Sequence, residues 1–557
     1  MSDLPADEPA EGAGGRPAGP LAPPPARPQA AGPEASFREF LAEGRFMLQR
    51  SRSTGRYVFQ PRLSVPGSGE TDLEWVPASG RGTVHAITVN RRREGSHNVA
   101  LIDLAEGVRM MAHVAGVETV AIGTAVEARI ETLEGAPAVV FVPVDEPAGA
   151  VPAERSADSV AAPSVLPAGG ASGAAGRSLR GRTAIAGIGT FNVGEAPGFS
   201  ATENMAGASL RAIADAGLQV GDIDAVFSAT GAHAFPTLTL CEQLGLRPRF
   251  VGGANTGGSS FLGHAMEAAL ALDAGLCDAA LIAYGSNQRS AGGRLVSMSE
   301  PQWPEVPYRP RHPITGYALA AARHMHRFGT TREMLAEVAV AARAWANLNP
   351  DAFARGPLTV EDVLSARMVS DPLTSRDCCL VTDGGGALVM VRAERARDLP
   401  RPPVHLLGGG MGQWHRSIAE MPDLTVTAAS ESGPRALAMA GVGQDEIDLL
   451  MLYDAFTINT ILFLEDLGFC PKGEGGRFVQ GGAIAPGGRL AVNTSGGGLS
   501  CMHPGMYGLF LVVEAVQQLR GLADERQLPS PELALCHGNG GALSSQVTLV
   551  LGTAGTV

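Results

Sequence analysis

A faint internal repeat limits what this chain can fold into more than any other feature. Arg211-Ala212-Ile213-Ala214-Asp215-Ala216-Gly217, followed by Asp222-Ile223-Asp224, returns 224 positions later as Arg435-Ala436-Leu437-Ala438-Met439-Ala440-Gly441, followed by Glu446-Ile447-Asp448. Asn255-Thr256-Gly257-Gly258 is echoed by Asn493-Thr494-Ser495-Gly496-Gly497, and Leu281-Ile282-Ala283-Tyr284-Gly285 by Leu533-Ala534-Leu535-Cys536-His537-Gly538. Three matches in one order mean a single α/β unit used twice, each copy running helix, strand, glycine-rich turn into a helix, strand. Neither copy can bury its sheet alone, so the two should pack together and share helices. The second copy carries Tyr453-Asp454, His503-Pro504 and Cys536-His537 at strand ends and turns, where α/β folds place their chemistry.

The repeat occupies about 181–557, and its halves meet near Arg401, giving 181–400 and 401–557. At 557 residues the chain exceeds one core. Residues 1–34 are acidic and rich in Pro and Ala, with little to bury, which predicts a disordered tail. A helix is expected from Phe37 to Gly44. Five short β runs then follow, at Gly82–Val89, Val99–Leu104, Val108–Ala115, Ala125–Glu131 and Ala138–Val142. Separated by turns, they predict a small barrel or sandwich within 35–145. Residues 146–180, mostly Pro, Ala, Gly and Ser, read as a flexible linker. The net charge of −13 argues against nucleic acid as a partner, since no basic stripe exists beyond Arg91-Arg92-Arg93, which reads as a solvated loop. The seven cysteines contain no CxxC pair, and nothing resembles a signal peptide or an 18-residue uncharged apolar span. These features predict a cytoplasmic protein with reduced thiols.

Five stretches are candidates for chemistry. Gly187-Ile188-Gly189 lacks the third glycine of a dinucleotide fingerprint, Asn192 standing there, and reads as a glycine turn. Gly257-Gly258-Ser259-Ser260 opens an apolar helix, where free N–H groups and the positive helix end would face a thioester oxygen or an anion; close helix packing is the alternative. Tyr453-Asp454 ends an apolar strand, and each residue has a plain reading beside the functional one. Tyr453 could be a core aromatic, and Asp454 a helix cap. Asn493-Thr494-Ser495-Gly496-Gly497-Gly498 runs into Cys501-Met502-His503-Pro504-Gly505, whose fixed backbone presents an imidazole able to donate to an oxyanion or relay a proton. In Cys536-His537-Gly538, strand alternation lets only one side chain face the site, and His537 is the expected acid–base group.

In this order the motifs resemble those of the thiolase superfamily. Asn493 through His503-Pro504-Gly505 resembles its NxxGG…GHP segment, and Tyr453-Asp454-Ala455-Phe456 sits where the family has NEAF or, in sterol-carrier thiolases, HDxF. Cys536-His537-Gly538-Asn539-Gly540-Gly541 resembles its Gly-rich terminus, and Thr382-Asp383-Gly384-Gly385 the segment closing the first half. The resemblance implies a duplicated five-layered α/β fold and a dimer. It also implies a nucleophilic Cys in the turn that here reads Gly257-Gly258-Ser259-Ser260, without one. Residues 35–145 resemble a zinc ribbon followed by an OB-fold, with Ser51, Thr54, Val65 and Ser68 at the four Cys positions, so no metal is expected. A Cys-less thiolase fold beside such a module is similar to the steroid side-chain aldolases. That implies retro-aldol cleavage of a β-hydroxyacyl-CoA to a ketone and a shorter acyl-CoA, with coenzyme A entering as part of the substrate and no other cofactor.

For that reaction His503, aided by Tyr453 or the glycine turn, is expected to hold the enolate oxygen. His537 would take the hydroxyl proton and Asp454 would orient a side chain or water. Gly257, Gly258, Ser259, Asn493 and Gly505 are expected to line the substrate. A homodimer and an acyl-CoA hydratase partner are implied by resemblance alone. Two other functions compete: acyl transfer through Ser259, Ser260 or Cys536, and acyl-CoA or lipid binding without turnover.

Overall fold

The computed structural model describes residues 32–93, 95–144, 178–291 and 302–557. The proposed linker therefore lies almost wholly outside the described residues, and so does the proposed tail up to residue 31. Pro33 and Glu34, assigned to that tail on composition, instead open a helix, Pro33–Ala42. Proline suits a first helical position because its missing N–H has no partner there anyway.

The two copies of the repeat have the same topology. The first half contributes Thr183–Gly194, Ala225–Ser228, Phe250–Gly252, Ala279–Ser286 and Asp383–Arg392; the second contributes Val404–Gln413, Leu449–Leu452, Ala491–Val492, Leu533–Gly540 and Ser545–Gly552. Numbered within each half, both sheets run 3-2-4-5-1, and they join through their first strands at Val404↔Ile185 and His405↔Ala184. Two apolar helices, Ser260–Asp273 and Gly508–Leu519, are buried along most of their length and pack against each other. On the outer faces, Ala201–Asp215 and Ala429–Ala440 lie so close to the sheets that glycine is required beneath them. A Cβ at Gly187 would meet the Ala212 carbonyl at 2.1 Å, and one at Gly408 the Ala436 carbonyl at 2.0 Å. Gly187 and Gly189 thus sit inside a strand under a helix, which replaces the glycine-turn reading of that motif.

The halves differ in what joins their last two strands. In the second half Gly540 and Ser545 bound a tight hairpin. In the first, residues 287–382 intervene and include the helices Ile314–Phe328 and Arg332–Asn347, which fold over the sheet ends.

The N-terminal module has a three-stranded ribbon, Met47–Ser51, Tyr57–Val58 and Leu73–Pro77, followed by five barrel strands from Arg81 to Pro143. Where a zinc knuckle would bind metal, hydrogen bonds and packing hold the ribbon. Ser51 Oγ donates to Asp72 (3.0 Å) and accepts from the Thr54 N–H (3.2 Å), and Val65 is buried.

The barrel docks directly on the α/β domain of its own chain. The strands Met368–Ser370 and Leu373–Thr374 from the first-half excursion extend the barrel sheet, Ser370 pairing with Asn90. Buried Thr88 donates to the Asp371 carbonyl (2.7 Å), Thr315 Oγ1 to Asn90 Oδ1 (3.1 Å), and the Arg109 guanidinium to the Met421 carbonyl (3.0 Å). Among the described residues no helix is long and apolar enough to cross a membrane.

Candidate active site

A cavity of about 1180 Å³ opens where the strand ends of both halves, the first-half excursion and the ribbon meet. Gly257, Gly258, Tyr453, His503 and Gly505 line it, as does Gln60-Arg62-Pro66 ground from the N-terminal module, so that module forms part of the wall.

Tyr453 ends the strand Leu449–Leu452. Its hydroxyl oxygen accepts from the Tyr507 N–H (3.1 Å), and its own proton has no acceptor among the described residues. Burial, the main cause, holds the phenol well above its ordinary pKa, so it remains a donor. The ring lies against the first-half turn so closely that a Cβ at Gly258 would come within 2.2 Å of it.

His503 stands edge-on to Tyr453, with ring centroids 5.6 Å apart, and is stacked on Tyr507. Its backbone is pinned on both sides: the N–H donates to Thr382 Oγ1 (3.1 Å), and the carbonyl accepts from Gln288 Nε2 (2.9 Å). The Pro504 carbonyl is held by the Tyr284 hydroxyl (2.5 Å). Burial lowers the imidazole to about 4, so it is neutral near pH 7, and Nε2 is buried without a partner. A buried ring nitrogen left unsatisfied in this way is a cost unless a ligand completes it.

The other candidates lie elsewhere. His537 does not line the cavity. It is fully buried, edge-on to Phe463, with Nε2 donating to Gln546 Oε1 (2.9 Å) and Nδ1 accepting from Thr548 Oγ1 (2.8 Å). Burial lowers it to about 3, and with both nitrogens engaged it has no lone pair free for a substrate proton. Strand alternation does not turn either Cys536 or His537 to the site; both point into core on opposite sides of the strand. His537 still reaches the cavity indirectly. Gln546 Nε2 donates to Asn539 Oδ1 (2.8 Å), and Asn539 Nδ2 donates to the hydroxyl of Tyr317 (2.7 Å); Asn539 and Tyr317 both line the wall.

Asp454 is likewise fully buried outside the cavity. It accepts from the N–H groups of Gly498 (2.6 Å) and Leu499 (3.3 Å), so it caps the Gly497–Cys501 turn that delivers His503; burial raises its carboxyl to about 7. Asn493 is also a framework residue, its Oδ1 accepting from the Leu452 N–H (2.7 Å). Ser259 lies behind the wall, bonded to the Thr256 carbonyl (3.2 Å) and the Ser545 hydroxyl (2.9 Å), and Ser260 Oγ donates to the Gly257 carbonyl (2.7 Å). Neither serine has a base against it.

Three cavity residues escaped the sequence reading. Tyr317 comes from the first-half excursion; its hydroxyl donates to the Gly541 carbonyl (2.7 Å), and its ring lies tilted against Phe456 with centroids 4.4 Å apart. His415 follows the strand Val404–Gln413. Its Nε2 donates to the Ala542 carbonyl (3.0 Å), which fixes the tautomer and leaves the lone pair on Nδ1, and Nδ1 has no partner. Burial lowers this imidazole also to about 4. Cys378 lines the cavity, yet burial pushes its thiol up to about 12, so it is no nucleophile near pH 7.

A family described as thiolase C-terminal domain-like matches residues 410–553, and the C-terminal OB-fold domain of ChsH2 matches 75–131. A steroid side-chain-cleaving aldolase of Thermomonospora curvata is 34% identical over 366 residues, covering 62% of this chain and 91% of that protein. The chain belongs to the thiolase superfamily. An acetyl-CoA acetyltransferase of Methanothermobacter thermautotrophicus is 33% identical over 374 residues, 64% of this chain and 96% of its own. Among solved structures, the Ltp2-ChsH2(DUF35) aldolase superposes with a TM-score of 0.62 at 32% identity, covering 67% of this chain and 98% of that one. Within the superfamily this protein stands with the aldolase-type lyases, and it carries the OB-fold module in the same polypeptide.

Proposed function

We propose that this thiolase-superfamily lyase cleaves a β-hydroxyacyl-CoA by a retro-aldol reaction, releasing a ketone and a shorter acyl-CoA. The observation that carries the reading is a pair of unspent polar groups on adjoining rings, the Tyr453 hydroxyl proton and the His503 Nε2, in a cavity whose thiols are held protonated; in the proposed scheme the neutral imidazole carries its proton on Nε2. Such a pair suits a thioester oxygen that gains charge, and the reaction forms no acyl-enzyme. The steroid side chain comes from the named substrate class of the aldolase relative.

In the proposed step His415 Nδ1 takes the proton of the β-hydroxyl. The oxygen lone pair becomes the new carbonyl, and the Cα–Cβ bond breaks. Its electrons pass into the thioester enolate held by Tyr453 and His503. Protonation at Cα completes the shorter acyl-CoA, so no redox partner is needed. His537 is a positioning residue in this scheme, acting through Gln546 and Asn539 on Tyr317. Acyl transfer, the competing reading, lacks an activated nucleophile: Ser259 and Ser260 are tied into their own turn, and burial holds Cys536 protonated.

We also propose a homodimer contact at the edge strand Phe250–Gly252, where Val251 is 56% exposed; Phe235 (68%) and Leu238 (65%), in the connection leading to that strand, are exposed too.

The deciding assay incubates the full chain with a tertiary β-hydroxyacyl-CoA bearing a steroid nucleus and follows ketone and short acyl-CoA by mass spectrometry. Release by wild type that falls about 10²–10³-fold in His503→Ala is expected. An acyl mass gained by the protein, with no ketone formed, would give the reaction to acyl transfer.

A further inference from the structure

We infer that Arg311 and Arg367 form an anion subsite in the cavity wall that receives phosphate groups of a coenzyme A thioester. The inference rests on the acyl-CoA reading above and assigns the end of the substrate farthest from the chemistry.

In a chain of net charge −13 this cavity is positive: four arginines, Arg62, Arg311, Arg367 and Arg416, line it against two glutamates, Glu305 and Glu420. The glutamates are already committed. Glu420 pairs with Arg62 (3.2 Å) and accepts from the Gln60 N–H (3.3 Å). Glu305 accepts from the Ser417 hydroxyl and lies 3.3 Å from His312 Nε2. Arg62 and Arg416 have partners of their own. That leaves Arg311, half-buried, and Arg367, exposed, with guanidinium groups that meet no hydrogen-bond acceptor or carboxylate among the described residues. They also repel each other: burial first, then the charges of Arg367 and Arg92, lowers the Arg311 pKa.

A partly desolvated cation facing a second cation is unfavourable in the empty chain, and an anionic ligand reverses the sign of the interaction. Guanidinium groups suit a phosphate because their N–H fork matches two of its oxygens. Arg311 also stands just before the helix Ile314–Phe328, whose positive end adds to the same field. Tyr317 lies one turn into that helix, so the anion subsite and the hydroxyl groups share one wall. A coenzyme A thioester would then lie with its phosphates toward Arg311 and Arg367 and its thioester toward Tyr453 and His503. The bulky acyl group would point away from both.

Calorimetry on the full chain tests this without requiring turnover. The probes are coenzyme A, pantetheine, which has the same arm without phosphates, and inorganic pyrophosphate. Coenzyme A should bind wild type and lose roughly 10- to 100-fold in affinity in the Arg311→Gln/Arg367→Gln variant, with pantetheine unaffected. Arg311→Lys/Arg367→Lys, which keeps both charges, should retain most of the affinity and so separates lost charge from lost folding. Equal coenzyme A affinity in wild type and the Gln variant overturns the subsite, as does an equal loss for pantetheine. Pyrophosphate binding as tightly as coenzyme A would make it a free-phosphate site and overturn the assignment too. If coenzyme A binds through the arginines and no β-hydroxyacyl-CoA is cleaved, the lyase reading fails while the subsite stands.

Discussion

The first-half turn Asn255–Ser260 and the second-half loop Asn493–Gly505 occupy matching places in sheets of identical strand order, yet they do different work. The first offers backbone: Gly257 and Gly258 line the cavity, and its serine hydroxyls are turned inward. The second offers an ionisable ring, His503, on a turn capped by Asp454. His415 and Tyr453 also come from the second half. Duplication supplied a scaffold twice, and in this chain one copy became a close-fitting wall for the chemistry of the other. The cost of that closeness is visible at Gly258, where no side chain fits beside Tyr453.

His415 is where this division of labour between the halves meets its severest test. If it accepts the hydroxyl proton, His415→Ala should lower kcat on the order of 10²–10⁴-fold, read in single-turnover ketone release. A variant within a few-fold of wild type would return the base to the first-half excursion. The wall is tested by Gly258→Ala, which must displace the Tyr453 ring; turnover should fall about 10²-fold while coenzyme A affinity holds. The cap gives the smallest effect. Asp454 titrates near 7 in the folded chain and close to its ordinary value, 3.8, when unfolded. The folded state thus holds this proton longer, so its contribution to stability is lost as pH rises from about 4 to about 7. Asp454→Asn removes that loss. Its Tm relative to wild type should climb by on the order of a few degrees between pH 4 and pH 8, in thermal denaturation followed by circular dichroism.

What the sequence made legible were features written in local order: the repeat, the five β runs of the barrel, and the turns bearing Tyr453 and His503. What escaped it depends on partners distant in the chain. His415 has no motif around it; its tautomer is set by the carbonyl of Ala542, 127 positions away. His537 looked functional because strand alternation should turn one of Cys536 and His537 to the site and an imidazole suits acid–base work, but Gln546 and Thr548 on the neighbouring strand absorb both of its nitrogens. On sequence grounds Asp454 could cap the helix that follows it or act in catalysis, yet Thr457–Asp466 has no side-chain cap, and the carboxylate instead accepts from the distant Gly498 and Leu499 N–H groups. Arg311 and Arg367 attract notice only once the carboxylates that might have neutralised them are seen to be engaged elsewhere.

The hairpin that extends the barrel sheet also bears on how the protein is made. Ser370 completes the edge at Asn90 from 280 residues downstream. At roughly 5–20 residues per second the ribosome needs on the order of ten to sixty seconds to bridge that distance. Throughout that interval the newborn barrel shows an open strand edge, the kind of surface on which nascent chains stick to one another. Joining both modules in one polypeptide secures their stoichiometry, at the cost of leaving that edge uncovered until the hairpin has been made.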